Sequence, residues 1–189
     1  MINTFLDIKS GKAEPWCGIQ IAAYTLLDIP VEFNEKGHIY TLRGEILPSV
    51  THILKSEGFI DTLWYDDWSR TKGTYVHKAV QLYIGGILNE KTLDPEIVPY
   101  LEAWKKFIRE SGFVVTGSEI SGASKDYKFA GTYDVNGYFP GGTTRGCAIE
   151  LHKDGTYRIV NFTFYQDMKM WFAAWSCYNW KKNNLKRKD

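Results

Sequence analysis

The chain has 189 residues, enough for one domain with a substantial core, and its apolar content of 44% and charged content of 24% are ordinary for a globular protein. It carries 23 lysines and arginines against 22 acids, so the net charge of +1 excludes a globally basic surface as the basis for binding nucleic acid. The three cysteines form no CxxC pair, which argues against a zinc ribbon, an iron–sulfur site and a disulfide framework. No signal peptide or long apolar segment is apparent, so we expect a cytoplasmic protein with no membrane partner.

The first 30 residues predict a strand and then a helix. Residues 2–8 form a short apolar run, and residues 15–27 have apolar side chains at helical spacing, with Pro15 in the first turn. This spacing leaves Gln20 and Tyr24 one turn apart along one edge of the apolar stripe.

The rest of the chain mixes strands and helices without strict alternation. The predicted elements are short strands over 31–47, a helix capped by Ser49 and ended by Gly58, helices over 71–84 and within 95–111, strands over 113–120 and 127–139, a hairpin over 147–162 and a closing helix over 165–182. This pattern predicts an α/β or α+β domain around a mixed sheet. The aromatic cluster at 64–68 is suited to stacking on bases or to covering the core, and the shared helical face of Trp64 and Trp68 favours the core.

An acid followed two positions later by a lysine occurs three times, beginning at Asp7, Asp126 and Asp167. On a strand, residues two apart project from the same face, whereas on a helix they diverge by about 200°. Asp167 lies in the predicted closing helix, and Asp126 lies in a polar loop. Only Asp7, at the end of an apolar strand, is predicted to share a face with its lysine, Lys9.

An acid and a lysine on one strand suit the hydrolysis of phosphodiesters. A divalent cation polarises the phosphate and activates water, and Mg²⁺ takes one or two protein carboxylates. Asp7 would supply one carboxylate, while the Lys9 ammonium would offset negative charge in the transition state. Asp134 is the best candidate for the second carboxylate, because an aspartate inside a strand is otherwise unfavourable. The alternative is that Asp134 is an ordinary strand acid that faces outward.

Other polar residues are unremarkable when each is taken alone. His77 is typical of an ordinary helix histidine, and Glu119 is typical of a solvent-facing residue at the end of a strand. Gln20 and Tyr24 would by themselves be ordinary helix residues.

Together, these motifs resemble the PD-(D/E)XK nuclease superfamily, specifically its RecB-like and phage-exonuclease-like branch. The segments that carry the resemblance are "DIKSG" (7–11), "QIAAY" (20–24), "GTYVH" (73–77) and "EISGASKDYKFAGTYD" (119–134), and they are accompanied by "SVTHIL" (49–54) and by the hairpin and helix at 147–181. The resemblance implies a restriction-endonuclease-like fold, in which a central mixed sheet is flanked by helices.

The resemblance also implies a metal site. His77, Asp134 and Asp7 would bind Mg²⁺ or Mn²⁺, and the carbonyl of Ile8 would supply a further oxygen. Glu119 would serve a second metal ion.

The resemblance assigns the remaining roles to three side chains. Lys9 would position or activate the attacking water, and Gln20 and Tyr24 would orient the lysine or contact DNA phosphates. The four-cysteine cluster of the CRISPR-associated relatives is missing, which argues against that subgroup.

The order of the segments departs from the family. Residues 1–30 hold the acid-x-lysine strand and glutamine–tyrosine helix that the family places late, residues 31–139 hold the histidine helix and the glycine-x-x-aspartate strand, and residues 140–189 hold the hairpin and closing helix. We therefore expect a single domain in permuted order, whose first strand pairs near residues 130–139. A short joint after the first helix would also allow exchange of residues 1–30 in a homo-oligomer or segment-swapped dimer.

The expected function is hydrolysis of DNA phosphodiesters, as an exonuclease in phage or bacterial replication, recombination or repair. One alternative is a catalytically inactive DNA-binding or assembly module with the same fold. A structural protein is the other alternative, and it predicts that Asp7, His77 and Asp134 lie far apart.

Overall fold

The computed structural model describes residues 3–61, 67–143 and 145–185. The strands are β1 (Thr4–Lys9), β2 (Ile29–Pro30), β3 (Glu32–Asn34), β4 (Ile39–Leu42), β5 (Glu45–Leu47), β6 (Val114–Ser124), β7 (Phe129–Tyr138), β8 (Gly146–Leu151) and β9 (Tyr157–Asn161). The helices are α1 (Trp16–Tyr24), α2 (Val50–Ser56), α3 (Asp67–Ile84), α4 (Val98–Ser111) and α5 (Phe164–Asn184).

A six-stranded mixed sheet forms the centre of the molecule, in the order β2-β6-β7-β1-β8-β9. The first strand, β1, lies inside this sheet, antiparallel to β7 and parallel to β8. Its pairing with β7 confirms the prediction that the front of the chain pairs with a strand near residues 130–139. The mixed α/β architecture that the sequence predicts is likewise confirmed.

Helices cover both faces of this sheet. On one face, α3 and α4 pack on β1, β7 and β8, and the buried core there includes Leu6, Ile8, Val80, Trp104, Phe107, Val135 and Ile149. On the other face, α1, α2 and α5 enclose a second core around Phe129 and Trp171, whose rings meet edge to face with centroids 4.7 Å apart. Since β1 contributes to the first core through Leu6 and Ile8, its alternate residues Asp7 and Lys9 point towards the α1 face.

A smaller antiparallel sheet, β3-β4-β5, packs beside the central one. Its residues Tyr40 and Leu47 form a buried cluster with Ala123 of β6 and Ala130 of β7. The backbone continues this contact, because the amide of Ala130 donates to the carbonyl of Pro48 at 3.0 Å. The small sheet is therefore fixed to the strand that carries Asp134.

Several element boundaries differ from the prediction. Helix α1 ends at Tyr24 rather than near residue 27, because the chain turns there into β2, and its residues from Cys17 to Tyr24 are all buried. Strand β6 continues to Ser124, since it forms a long hairpin with β7 through the turn at 125–128. Glu119 therefore lies within a strand and not at its end.

The predicted start of α2 agrees with the structure, whereas that of α3 does not. The side chain of Ser49 caps α2 by accepting a hydrogen bond from the amide of His52 at 3.0 Å. Helix α3 begins at Asp67, earlier than predicted. Trp64 lies outside the described residues, and Trp68 is 45% exposed on α3, so Trp68 does not cover the core.

Helix α5, the last described element, spans 21 residues and buries Trp171 and Ala174 while its opposite face is exposed. Among the described helices, none combines the length and the apolar character that a membrane span requires.

Candidate functional site

Strand β1 ends in the acid-x-lysine pair. The Lys9 ammonium donates to Asp7 Oδ1 at 2.8 Å, as expected for two residues on the same face of a strand. The Asp7 side chain is 4% exposed, and its Oδ2 has no hydrogen-bond partner among the described residues. A buried carboxylate with one free oxygen is unusual, because such oxygens are normally satisfied.

The sheet opens between β1 and β7 immediately beside this pair. The last paired residues are Leu6 and Val135, and beyond them the amide of Ile8 donates to Asp134 Oδ2 at 2.7 Å instead of to a backbone carbonyl. The alternation of β7 also breaks here, since Asp134 contacts His77 of α3 while the next residue, Val135, packs in the core beneath the same helix. The opening directs the Asp134 carboxylate and the Ile8 carbonyl towards α3.

His77 of α3 bridges the two strands across the opening. Its Nδ1 lies 3.5 Å from Asp134 Oδ1, and its Nε2–H donates to the carbonyl of Ile8 at 2.8 Å. The histidine thus joins the backbone of β1 to the carboxylate of β7.

Glu119 approaches the same point from β6. Its neighbours Ser118 and Ile120 pair with Val135 and Tyr133, so Glu119 lies across from Asp134. Its φ of 51° is in the left-handed region, which non-glycine residues adopt only where surrounding contacts impose it. This backbone conformation occurs at the position where Glu119 faces the other two side chains.

His77, Glu119 and Asp134 form a group that could hold a metal ion, because one ligand atom from each lies within 4.8 Å of the other two. These three residues come from α3, β6 and β7. Asp7 is not part of the group, since it lies on the α1 side of the opening, where Lys9 binds its Oδ1. The charge of Asp7 nevertheless acts on both His77 and Asp134, so the three residues lie near one another. The alternative of a purely structural protein predicted that they would lie far apart.

The charges of these groups are strongly coupled. Burial lowers the pKa of His77, but the Asp134 carboxylate outweighs burial and raises that pKa to about 9. Burial raises the pKa of Asp134, yet His77 and Lys9 together lower it to about 2. An imidazolium therefore faces the Asp134 carboxylate at neutral pH, in the position where a cation would balance its charge.

The pKa values of the other two acids are raised, whereas that of Asp134 is lowered. Burial, with Asp134 adding repulsion, raises the pKa of Glu119 to about 7. Burial also raises the pKa of Asp7, although Lys9 counteracts it. The pKa of Lys9 itself is raised, because Asp7 and its neighbours outweigh the effect of burial. Both acids are thus destabilised in their charged forms, which a bound cation would relieve.

Gln20 and Tyr24 lie on α1, beneath the opening. The Gln20 amide donates to the Tyr24 hydroxyl, while Gln20 Oε1 has no partner among the described residues. Burial raises the pKa of Tyr24, and Asp134 and Asp7 raise it further, so the phenol faces the acidic group. The sequence placed these side chains at the edge of the helix, but α5 and the sheet bury them.

Two residues that lie near the site were not predicted from the sequence. Cys17 of α1 is buried beside Asp7, and burial together with the Asp7 charge raises its pKa. The ring of Trp16 lies 4.9 Å from the Lys9 ammonium, in cation–π contact. Nothing in the local sequence indicates either contact, because both depend on the path of the loop between β1 and α1.

Glu150 was missed as well, although an acid inside the apolar run of β8 was a visible signal. It lies opposite Lys9 in the register of the parallel strands β1 and β8, and it is 1% exposed. Its Oε1 accepts from the amide of Ala13 at 2.7 Å, and Arg158 binds both of its oxygens at 2.7 Å. Glu150 therefore fastens the loop after β1 to the β8–β9 hairpin.

A cleft of about 1060 Å³ opens beside the candidate metal site. Its lining includes Lys9, His77 and Glu119 together with the cationic side chains Lys12, Lys55, Arg70 and Lys78. Within the described ranges, neither Lys12 nor Lys55 has a carboxylate at ion-pair distance, whereas Lys105 and Lys181 outside the cleft are paired. The cleft thus offers positive charge beside a group of potential metal ligands.

A scan against models of protein families found no match, and no curated protein matches this chain in sequence.

Proposed function

We propose that this protein is a metal-dependent nuclease that hydrolyses DNA phosphodiesters. The observation that carries the proposal is that ligand atoms of His77, Glu119 and Asp134 lie within 4.8 Å of one another, beside the Asp7–Lys9 pair. His77 and Glu119 line a cleft whose Lys12 and Lys55 have no carboxylate at ion-pair distance among the described residues. The resemblance to the PD-(D/E)XK superfamily supports it, because the motifs of that family come from distant segments and here they meet. We extend the proposal to a restriction-endonuclease-like fold in permuted order.

The residues present fit a divalent cation. Two carboxylates and one imidazole form the donor set, and the Ile8 carbonyl lies beside them, where it accepts from His77. Asp7, on the α1 side of the opening, has an Oδ2 without a hydrogen-bond partner among the described residues. Carboxylates suit Mg²⁺ and Mn²⁺, while an imidazole ligand favours Mn²⁺ over Mg²⁺. A bound cation of this kind supplies charge stabilisation and lowers the pKa of water.

The side chains of β1 have distinct roles in this proposal. Lys9 stays protonated beside Asp7 and donates hydrogen bonds to a phosphate oxygen or to the attacking water, which offsets the extra negative charge of the transition state. Asp7 holds the ammonium in place through Oδ1, and its Oδ2 has no hydrogen-bond partner among the residues that the structure describes. Gln20 and Tyr24 support the pair from the α1 side.

The lysines that line the cleft support DNA as the substrate. Lys12, Lys55 and Lys78 come from the loop after β1, from α2 and from α3, so they surround the site on several sides. Phosphate contacts of this type contribute most of the sequence-independent affinity for nucleic acid. The net charge of +1 shows why composition alone could not indicate this local patch.

Cleavage of linear DNA with Mn²⁺ or Mg²⁺ tests the proposal directly. We expect Lys9→Ala to reduce the rate about 100-fold or more, because one donor to a developing charge contributes about that much. Lys169→Ala is the matched control, since Lys169 stands in another acid-x-lysine triplet but lies on exposed α5, where it contacts Tyr165. The control should cleave at the wild-type rate.

The same assay separates the alternative function. If wild-type protein binds DNA but leaves it intact with each divalent cation, the chain is a catalytically inactive DNA-binding or assembly module. Equal loss of activity in Lys9→Ala and Lys169→Ala would instead remove the assigned role of Lys9.

A further inference from the structure

The small sheet β3-β4-β5 presents an aromatic cluster to the cleft. The rings of Phe33 and Tyr40 are stacked with centroids 4.6 Å apart, and His38 meets them edge to face at 5.3 and 5.4 Å. Phe33 and His38 line the cleft, whereas Tyr40 is buried behind them. We call Phe33, His38 and Tyr40 the aromatic platform.

Local hydrogen bonds hold the backbone that carries the exposed ring of the platform. A short 3-10 turn over Glu35–Gly37 precedes His38, and the Asn34 side chain accepts from the amide of Gly37 at 3.2 Å. His38 itself has a φ of 48°, in the left-handed region. The turn thus fixes the backbone that carries the imidazole, and the ring contacts with Phe33 and Tyr40 set the direction of the ring.

The platform is also linked to the candidate metal site. The Tyr40 hydroxyl is hydrogen-bonded to Thr132 Oγ1 at 3.0 Å, and Thr132 is hydrogen-bonded to Ser121 at 2.6 Å. Thr132 precedes Asp134 by two residues on β7, and Ser121 follows Glu119 by two on β6. The distance from the platform to the acids is therefore set by two strands and not by a free loop.

Charge is distributed unequally around the cleft. The small sheet and its 3-10 turn contribute Phe33, Glu35 and His38 to the lining. The loop after β1, α2 and α3 contribute four cations, Lys12, Lys55, Arg70 and Lys78, and one acid, Glu14, so the cations outnumber the acids on that side. Glu35 would repel phosphates on the side of the aromatic platform. A bound strand would therefore place its phosphates towards the lysines and its bases towards the small sheet.

Resting on the proposed nuclease function, we propose that Phe33 and His38 stack on the bases of an unpaired DNA strand held in the cleft. Aromatic side chains opposite a row of cations are the usual arrangement for binding single strands, because every base has a face that stacks. A duplex keeps its base faces inside the helix and cannot offer them to the platform. A cleft of about 1060 Å³ is close to the volume of sites for small ligands, so it holds a few nucleotides of one strand.

Fluorescence anisotropy in EDTA measures this binding without cleavage. The probes are a labelled thymidine oligonucleotide, an abasic strand of the same length and a blunt duplex of the same length. We expect the base-bearing strand to bind about tenfold more tightly than either of the others, since stacking adds to the phosphate contacts.

Two substitutions remove the platform without disturbing its fold. His38→Asn deletes the ring at a position where asparagine tolerates a positive φ, and Phe33→Leu keeps an apolar contact with Tyr40. Each should weaken binding of the thymidine strand about tenfold and leave the abasic strand unchanged. Arg43→Asn is the matched control, because Arg43 also has a positive φ on the small sheet but does not line the cleft.

Equal binding of thymidine and abasic strands would overturn the inference, and so would a loss on both probes in His38→Asn. These outcomes differ from failure of the proposed nuclease. A protein that cuts DNA with Mn²⁺ but shows no base-dependent binding contradicts the platform alone, whereas base-dependent binding without cleavage contradicts the nuclease alone.

Discussion

Two neighbouring strands each bury one carboxylate, and the surroundings of these carboxylates differ. Glu150 on β8 is 1% exposed, and it is hydrogen-bonded through both oxygens to the amide of Ala13 and to Arg158. Asp7 on β1 is 4% exposed, but only its Oδ1 is bound, and its Oδ2 has no partner among the described residues. Burial alone therefore does not distinguish an acid whose two oxygens are both bound from an acid with one oxygen left without a described partner.

The difference follows from the state of the sheet on either side of β1. Towards β8, pairing continues from Phe5 to Lys9, so the backbone is satisfied and Glu150 closes the loop above it. Towards β7, pairing stops at Leu6, and side chains from α3 and β6 enter the opening. A closed strand pair makes a scaffold, whereas an opened pair exposes polar groups that a ligand can use.

Neutralising the two acids gives the largest expected contrast. Asp7→Asn should lower DNA cleavage about 1000-fold, because the Lys9 ammonium loses its anionic partner and the opening loses a negative charge. Glu150→Gln should change the rate by less than about tenfold, since Glu150 acts on the loop and not on the substrate. Single-turnover cleavage with Mn²⁺ measures both, and equal losses would break the comparison.

The opened side should also bind metal in a strongly pH-dependent way. Metal ligands must be deprotonated, and the metal-free pKa is about 9 for His77 and about 7 for Glu119. Below about pH 7 both residues must lose a proton, and between about pH 7 and pH 9 only His77 must, so affinity rises with pH and rises more steeply in the lower range. From about pH 6 to about pH 8 we expect a gain of roughly 100-fold or more.

Calorimetry of Mn²⁺ binding in buffers of different ionisation enthalpy measures the released protons. His77→Gln provides the control, because it should remove the dependence that persists above about pH 7. Affinity that is constant across this range would show that His77 does not bind the ion.

The closed side should dominate stability instead. Glu150→Gln should lower the free energy of unfolding by about 2 kcal/mol, since it weakens three charge-assisted hydrogen bonds of which those from the exposed Arg158 are partly replaced by water. Asp7→Asn should change it by less than about 1 kcal/mol, because relief of a buried charge offsets the loss of the Lys9 contact. Urea denaturation distinguishes the two, and a more destabilised Asp7 variant would reverse the assignment.

The smallest expected effect concerns the cations around the opening. Lys55→Ala should weaken binding of single-stranded DNA a few-fold and reduce the slope of log affinity against log salt by about 0.7. Lys181→Ala serves as the control, since Lys181 is paired with Glu57 at 2.7 Å outside the cleft. Identical slopes in wild type and Lys55→Ala would place the DNA elsewhere.

Features that depend on neighbouring residues were predictable from the sequence. Ser49 caps α2 as its position before an apolar helical run indicates. The period of two along β1 placed Asp7 and Lys9 on the same face, and the structure gives them an ion pair at 2.8 Å. The same reasoning assigned Asp167 to a helix, which is α5.

Features that depend on distant segments were not predictable in this way. The broken alternation at Asp134 arises because β1 separates from β7 and gives the amide of Ile8 to a side chain 126 residues away. Glu119 was expected at the end of a strand, but the hairpin extends past it. Gln20 and Tyr24 were expected on an edge, yet α5, from the far end of the chain, covers the helix that carries them. Periodicity contains no information about which later segment will pack on an earlier one.

The position of β1 between two strands that are translated much later has a consequence for biogenesis. At about 5–20 residues per second, a ribosome needs roughly 6–25 seconds to proceed from Ile8 to its partner Asp134, 126 residues later. During that interval the nascent β1 has no sheet to join, and its apolar face is open to chaperones or to aggregation. The centre of the sheet therefore forms last. A ribosome that stalls before β7 releases a chain in which the site has not formed.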